Sequence, residues 1–201
     1  ENAALSLSEE DALKAQIFGC WSIPLGLPYN ENLLVVWGDA HADLNTYDSS
    51  LTKSEHGMPV SKLLGIENTY NFHEITPKQI IYLGLRDVDE YEQNKLNELG
   101  IEHYTIQETK DNMTNILDNI IKRKNKIHIS FDVDSLDPKY FPSTGTPVEN
   151  GLTIEEGKQI LQTLRPQTIS TDFVEFNPSL TNEEQSNTDA KLLKELIEIM
   201  L

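Results

Sequence analysis

Short apolar runs alternate along this chain with longer segments whose apolar residues recur at helical spacing. Leu33–Trp37, Ile80–Leu85, Ile127–Phe131 and Thr168–Phe173 predict strands, with a weaker one at Ile101–Ile106. Met113, Ile116, Leu117, Ile120 and Ile121 make one helical stripe. Leu192, Leu193, Leu196, Ile197 and Met200 make another, in a helix read as Asp189–Leu201 whose stripe suits a core or an interface equally. Thr153 followed by Glu156 is a capping box that opens a helix running through Leu164. Strands alternating with helices predict an α/β domain with a mostly parallel sheet. No repeat or low-complexity linker divides the chain, so residues 1–201 read as one domain, its first 26 residues being the least patterned.

Composition narrows the function classes. Hydrophobic residues at 38% and charged residues at 24% supply a soluble core, and no stretch approaches the ~18 apolar residues of a membrane span. The opening Glu1-Asn2-Ala3-Ala4 has neither the basic region nor the apolar core of a signal peptide. A single cysteine, Cys20, leaves no internal disulfide and fits a reducing, cytoplasmic compartment. A formal charge of −17 argues against nucleic acid, whose phosphates it would repel, and is compatible with a small cationic substrate.

The candidate chemistry lies just past two of the strands. Leu33–Trp37 runs into Gly38-Asp39-Ala40-His41-Ala42-Asp43, and in extended backbone residues two apart share a face. Asp39, His41 and Asp43 therefore converge at a strand's carboxyl end, and Asp132 and Asp134 repeat the spacing after Ile127–Phe131. A lone Asp-x-Asp after a strand most often serves as a turn or helix cap. Two such clusters after buried strands would cost several kcal/mol in desolvation and repulsion without a cation. Carboxylates outnumbering imidazole, with no thiolate, suit Mn²⁺ or a related octahedral ion, and five such residues suffice for two ions.

These clusters carry a family resemblance. Asp-Ala-His-Ala-Asp (39–43), Ser-Phe-Asp-Val-Asp-Ser-Leu-Asp-Pro (130–138) and Thr-Gly-Thr-Pro-Val (144–148) resemble signatures of the arginase–agmatinase–formiminoglutamase superfamily of ureohydrolases. His56-Gly57-Met58-Pro59-Val60, Gly84-Leu85-Arg86-Asp87-Val88-Asp89, Gly151-Leu152-Thr153 and Val174-Glu175-Phe176-Asn177-Pro178 favour the arginase branch, and the match runs from Leu33 to Leu201. It implies a three-layer α/β/α fold and manganese-dependent hydrolysis of L-arginine to L-ornithine and urea by a metal-bridging hydroxide. By the same resemblance Asp39 and Asp132 bridge two Mn²⁺ ions, Asp43 completes the first site, and His41 with Asp134 the second. Glu175 pairs with the guanidinium, Thr146 lies beside it, and His56 shuttles a proton. Asn45, Thr52 and Asp89 read the substrate's α-carboxylate and α-amino groups, and the assembly implied is a homotrimer. His73, His103 and His128 read as structural, and Arg86-Asp87 as an ion pair or interface contact.

Departures from the family pattern set the alternatives. The family's Gly-Gly-Asp-His-Ser segment, whose histidine ligates the first metal, finds its best counterpart in Phe18-Gly19-Cys20-Trp21-Ser22. Trp21 then holds the ligand position, and an indole N–H only donates. The family's N-terminal part, with its first strand, has no counterpart, so the chain reads as shortened. Thr52-Lys53-Ser54-Glu55 replaces Ser-Gly-Asn before the shuttle histidine. One expectation is an active arginase. Another is an arginase-like protein with an impaired metal site holding one Mn²⁺, weakly active or non-catalytic, acting as a binding or regulatory subunit. A third, agmatinase, is disfavoured by Asn45 and Asp89, since agmatine has no α-carboxylate to read.

Overall fold

Every residue of β1 (Leu33–Gly38) and β2 (Ile80–Leu85) is buried, as continuous apolar runs must be when helices cover both faces of a parallel sheet. The computed structural model describes residues 32–67 and 75–201. Among these, β3 (Glu102–Thr105), β4 (Lys126–Asp132) and β5 (Thr168–Val174) complete an all-parallel sheet in the order β3-β2-β1-β4-β5. The chain thus leaves β1 toward one edge and later returns to its other side. That makes the β1/β4 boundary a topological switch point, where the carboxyl ends of the strands open a crevice.

Alternate residues divide the two faces. Leu34, Val36, Ile81, Leu83, Ile127, Ile129 and Phe131 pack beneath α3 (Ile106–Lys122), α4 (Ile154–Leu164) and α5 (Glu183–Met200). Leu33, Val35, Trp37, Ile80, Tyr82 and Leu85 meet α1 (Pro59–Leu63) and α2 (Glu90–Leu99). Each fully buried Leu, Ile or Phe contributes roughly 1.5–3 kcal/mol against exposure. The result is the expected α/β fold, a parallel sheet between two helical layers.

Local chemistry starts the helices where the pattern alone is weak. Thr153 caps α4 by accepting from the Glu156 N–H, as its capping box predicts. α5 begins at Glu183 rather than Asp189, because Asn182 caps it from the Gln185 N–H. Its stripe belongs mainly to the core: Leu196 is fully buried, and Leu192, Leu193, Ile199 and Met200 pack beside it, while Ile197 stays 38% exposed. Gly84 interrupts the β2–β3 register with φ near 99°, and a Cβ there would lie 3.3 Å from the Asp39 carbonyl. Glycine is needed at that point for both reasons.

A candidate metal centre at the sheet switch point

Strand register brings the acidic clusters together before any side chain is considered. Gly38 pairs with Phe131 across β1 and β4, so Asp39 and Asp132 leave adjacent strands at the same level. Neighbouring strands lie about 4.8 Å apart, which satisfies the expectation that the two aspartates share one neighbourhood. Asp132 in turn pairs with Val174, placing Glu175 just beyond β5 on the same edge.

Main-chain bonds then fix the loops. The Asp39 N–H donates to the Leu83 carbonyl at 3.1 Å, and the Arg86 and Asp87 N–H groups both reach the Ala40 carbonyl at 2.9 and 3.0 Å. Asp132 caps the turn Val133–Ser135, taking the Asp134 N–H at 2.7 Å, while the Ala40 N–H donates to Asp134 Oδ1 at 3.2 Å. Donor atoms of Asp39, His41 and Asp134 lie within 4.8 Å of one another, with both aspartates 1% exposed. His41 Nδ1 stands 3.1 Å from Asp134 Oδ2 and 3.5 Å from Asp39 Oδ1. The Trp37 indole N–H donates to Asp39 Oδ2 at 2.9 Å.

The electrostatics are those of anions crowded out of water. Burial first, then the Asp134 charge, pushes the Asp39 carboxyl up to about 7. Burial and its neighbours also hold Asp43 and Asp132 well above the carboxylate range, Asp39 acting on the first and Asp134 on the second. Asp134 goes the other way. Burial opposes its ionisation, but the hydrogen bond with His41 and that ring's charge keep its pKa low. Burial likewise works against a charged His41, yet the bonds to Asp134 and Asp39 prevail and push it up to about 11. Four carboxylates sharing one imidazole form a donor set that fits a hard divalent cation.

The remaining sequence-predicted residues take distinct places. Asp43 and Asp132 lie outside the tight three-residue set but close enough to feel its charges. Asp43 adopts φ near 53°, and its carbonyl takes the Val60 and Ser61 N–H groups at 3.1 and 3.3 Å. Thr146 donates to Asp134 Oδ2 at 3.2 Å, so it reaches a carboxylate of the cluster directly. Glu175 has φ near 64°, and its Oε2 would lie 3.7 Å from a Cβ on Gly145. The Asn45 amide donates to Asp89 Oδ2 at 2.8 Å, and Asp89 Oδ1 caps α2 from the Glu92 N–H at 2.9 Å. Thr52 is exposed, with its hydroxyl 3.3 Å from Ser50 Oγ. His56 is exposed in the turn Glu55–Gly57, away from the cluster's hydrogen bonds. Cys20, Trp21 and His73 lie outside the described residues.

Three side chains matter more than their local sequence suggests. Arg86 makes no ion pair with Asp87; it donates to main-chain carbonyls instead. Asp87 Oδ2 turns to His41 Nε2 at 3.6 Å, opposite the ring nitrogen that faces the cluster. Glu92, buried in α2, accepts the Leu44 N–H at 3.0 Å and steadies the loop after Asp43. Their shared signal is position: Arg86 and Asp87 follow β2 at the same edge, and Asp89-x-x-Glu92 is a capping box.

Known proteins resemble the chain throughout this region. The sequence model of the arginase family matches residues 23–198. Arginase of Neurospora crassa is 40% identical over 163 residues, 74% of this chain and 46% of that protein. The crystal structure of Entamoeba histolytica arginase in complex with L-ornithine superposes with a TM-score of 0.75 at 32% identity, covering 84% of this chain and 60% of that one. For the crystal structure of arginase from Bacillus subtilis the TM-score is 0.77 at 33% identity, covering 85% and 64%. The chain spans about half the length of the curated relatives it matches.

Proposed function

Because the chain belongs to the arginase family, we propose that its switch-point cluster holds Mn²⁺ and hydrolyses L-arginine to L-ornithine and urea. The observation that carries this reading is the convergence of Asp39, His41 and Asp134 donor atoms within 4.8 Å. Asp132 and Asp43 extend that set, giving ligands enough for two ions. A divalent metal held there would supply the Lewis acidity that lowers the pKa of a water toward neutrality.

The chain's own residues do the rest. Glu175, at the mouth of the same edge, pairs with the substrate guanidinium, and a carboxylate matches that planar donor fork well. Thr146 sits beside the guanidinium in this reading, its hydroxyl held by donation to Asp134 at 3.2 Å. In this reading Asn45, Thr52 and Asp89 bind the α-carboxylate and α-amino end. Asp89 is held for this by Asn45 at 2.8 Å. His56, on an exposed turn, moves a proton to the leaving nitrogen. A homotrimer is part of the same reading, and a monomer by sedimentation at micromolar concentration would refute that part.

A second reading is a weakly active or non-catalytic arginase-like subunit, favoured by Trp21 at the position matched to a first-site histidine. Mn²⁺ content after dialysis, measured with urea release from L-arginine and agmatine, separates the two. Two ions and arginine-specific urea release support the enzyme. One ion with little urea supports the second reading, and Trp21→His should then raise both. No bound Mn²⁺ in either form would refute the metal assignment itself.

A further inference from the structure

Arg86 follows β2 at the carboxyl edge, and its half-buried guanidinium donates to the main chain of three separate segments. Nη2 donates to the Asp134 carbonyl at 2.6 Å, to Val148 at 2.8 Å and to Leu136 at 3.4 Å. Nη1 reaches Gly84 at 3.3 Å and Ser135 at 3.5 Å, and Nε reaches Glu149 at 3.2 Å. One planar group therefore ties the end of β2 to the turn bearing Asp134 and to the loop bearing Thr146. Its seat is shaped to fit. A Cβ on Gly151 would come within 2.7 Å of Arg86 Nη2 and 2.5 Å of the Asp137 nitrogen.

Chemistry makes arginine specific for this seat. A guanidinium holds five N–H donors in a fixed fork, whereas a lysine ammonium offers three from a single point. Lysine would preserve the charge, but its three donors could serve at most three of the six carbonyls that Arg86 reaches. The carbonyls it abandoned would be left partly unsatisfied, at about 1–3 kcal/mol each where water cannot replace the bond. Asp134 and Thr146 would then lose their common frame.

We propose that Arg86 is a positioning residue that holds the Asp134 turn and the Thr146 loop in register, so that metal affinity depends on a side chain that contacts no metal. The inference rests on the reading of Asp134 as a metal ligand. A merely structural arginine would lower stability on replacement and leave affinity unchanged. Positioning groups around metal ligands typically govern 10–100-fold in affinity.

The test is calorimetric titration of Mn²⁺ into the metal-free full chain, comparing wild type, Arg86→Lys and Thr105→Ala. Thr105, the last residue of β3, caps α3 through bonds to Glu108, so its variant is a destabilised control that removes no bond of Arg86 or of the cluster. Arg86→Lys should bind at least tenfold more weakly, and Thr105→Ala as wild type does. Equal affinity for wild type and Arg86→Lys, with only the melting temperature lowered, would overturn the inference. Wild type that binds no Mn²⁺ would overturn the metal reading beneath it, a separate and recognisable failure. Should Arg86→Lys not fold, hydrogen exchange in Thr146→Val decides, since the direct Thr146–Asp134 bond is then gone. Mn²⁺ should slow exchange across residues 144–151 together with 133–137; protection of 133–137 alone would overturn the inference.

Discussion

Asp43 is held in left-handed backbone at φ near 53° among like charges. Asparagine tolerates that conformation as well as aspartate does and keeps its volume while removing its charge. Asp43→Asn should therefore leave the metal-free chain as stable or more stable by about 1 kcal/mol, the scale of one pKa unit of relieved repulsion. The same change should lower the Mn²⁺ stoichiometry. Urea unfolding in a chelator, paired with metal analysis, would count against this if the variant were weaker yet bound metal normally. His128 gives a second residue-scale test, now of acid stability. Its side chain is fully buried in β4 with Nδ1 at 2.7 Å from Ser170 Oγ, and burial pulls its pKa down to about 4. The Asp172 carboxylate, 3.7 Å from Nε2, favours the charged ring, but burial prevails. The unfolded chain takes up this proton first, near the free value of about 6.5. Stability should thus be unaffected above that pH and fall as pH drops toward 4, by about 2 kcal/mol at pH 5. Denaturation profiles of wild type and His128→Asn should diverge below about pH 6.5; parallel profiles would refute the assignment.

Caps and registers act at the level of whole elements. Thr105 accepts the Glu108 N–H at 3.3 Å, while Glu108 Oε2 takes the Thr105 N–H at 2.9 Å. Thr105→Ala should cost about 1 kcal/mol in unfolding free energy, and Mn²⁺ titration of the same variant should be unchanged. Such local signals also explain what the sequence made legible. The four main strands lie within a residue of their expected bounds, because apolar, β-branched runs almost free of charge have few other uses. α4 was legible from Thr153 and Glu156 alone. α2 was not, because its buried face is made by Glu92 and Leu96, and a buried glutamate breaks the apolar stripe. Its ends were nevertheless written in Asp89-x-x-Glu92 and in Gly100, which is left-handed at φ near 63°. α5 starts earlier than its stripe because its first turns are polar. The acidic clusters were readable since each is local to one strand end. Arg86 was not, since its partners come from the turn after β4 and a distant loop that only the fold brings to β2.

At the scale of the whole molecule, charge and metal binding become one question. A formal charge of −17 strains the fold by self-repulsion, and the buried carboxylates at the switch point add to it where water screens least. A cation that binds there only in the folded state must shift the unfolding equilibrium by mass action. At a free Mn²⁺ concentration about 100 times the dissociation constant the gain is about 2.7 kcal/mol. For a chain of this size that corresponds to a melting temperature higher by roughly 5–10 °C. Salt alone will stabilise so acidic a protein somewhat by screening, so the comparison must be made at matched ionic strength. MnCl₂ should outperform NaCl in wild type, and a chelator should reverse the difference. Asp134→Asn, which removes a carboxylate from the tight set, should respond to the two salts alike. If its Mn²⁺ response equals that of wild type, the stabilisation comes from diffuse charge over the whole surface and not from the cluster at β1 and β4.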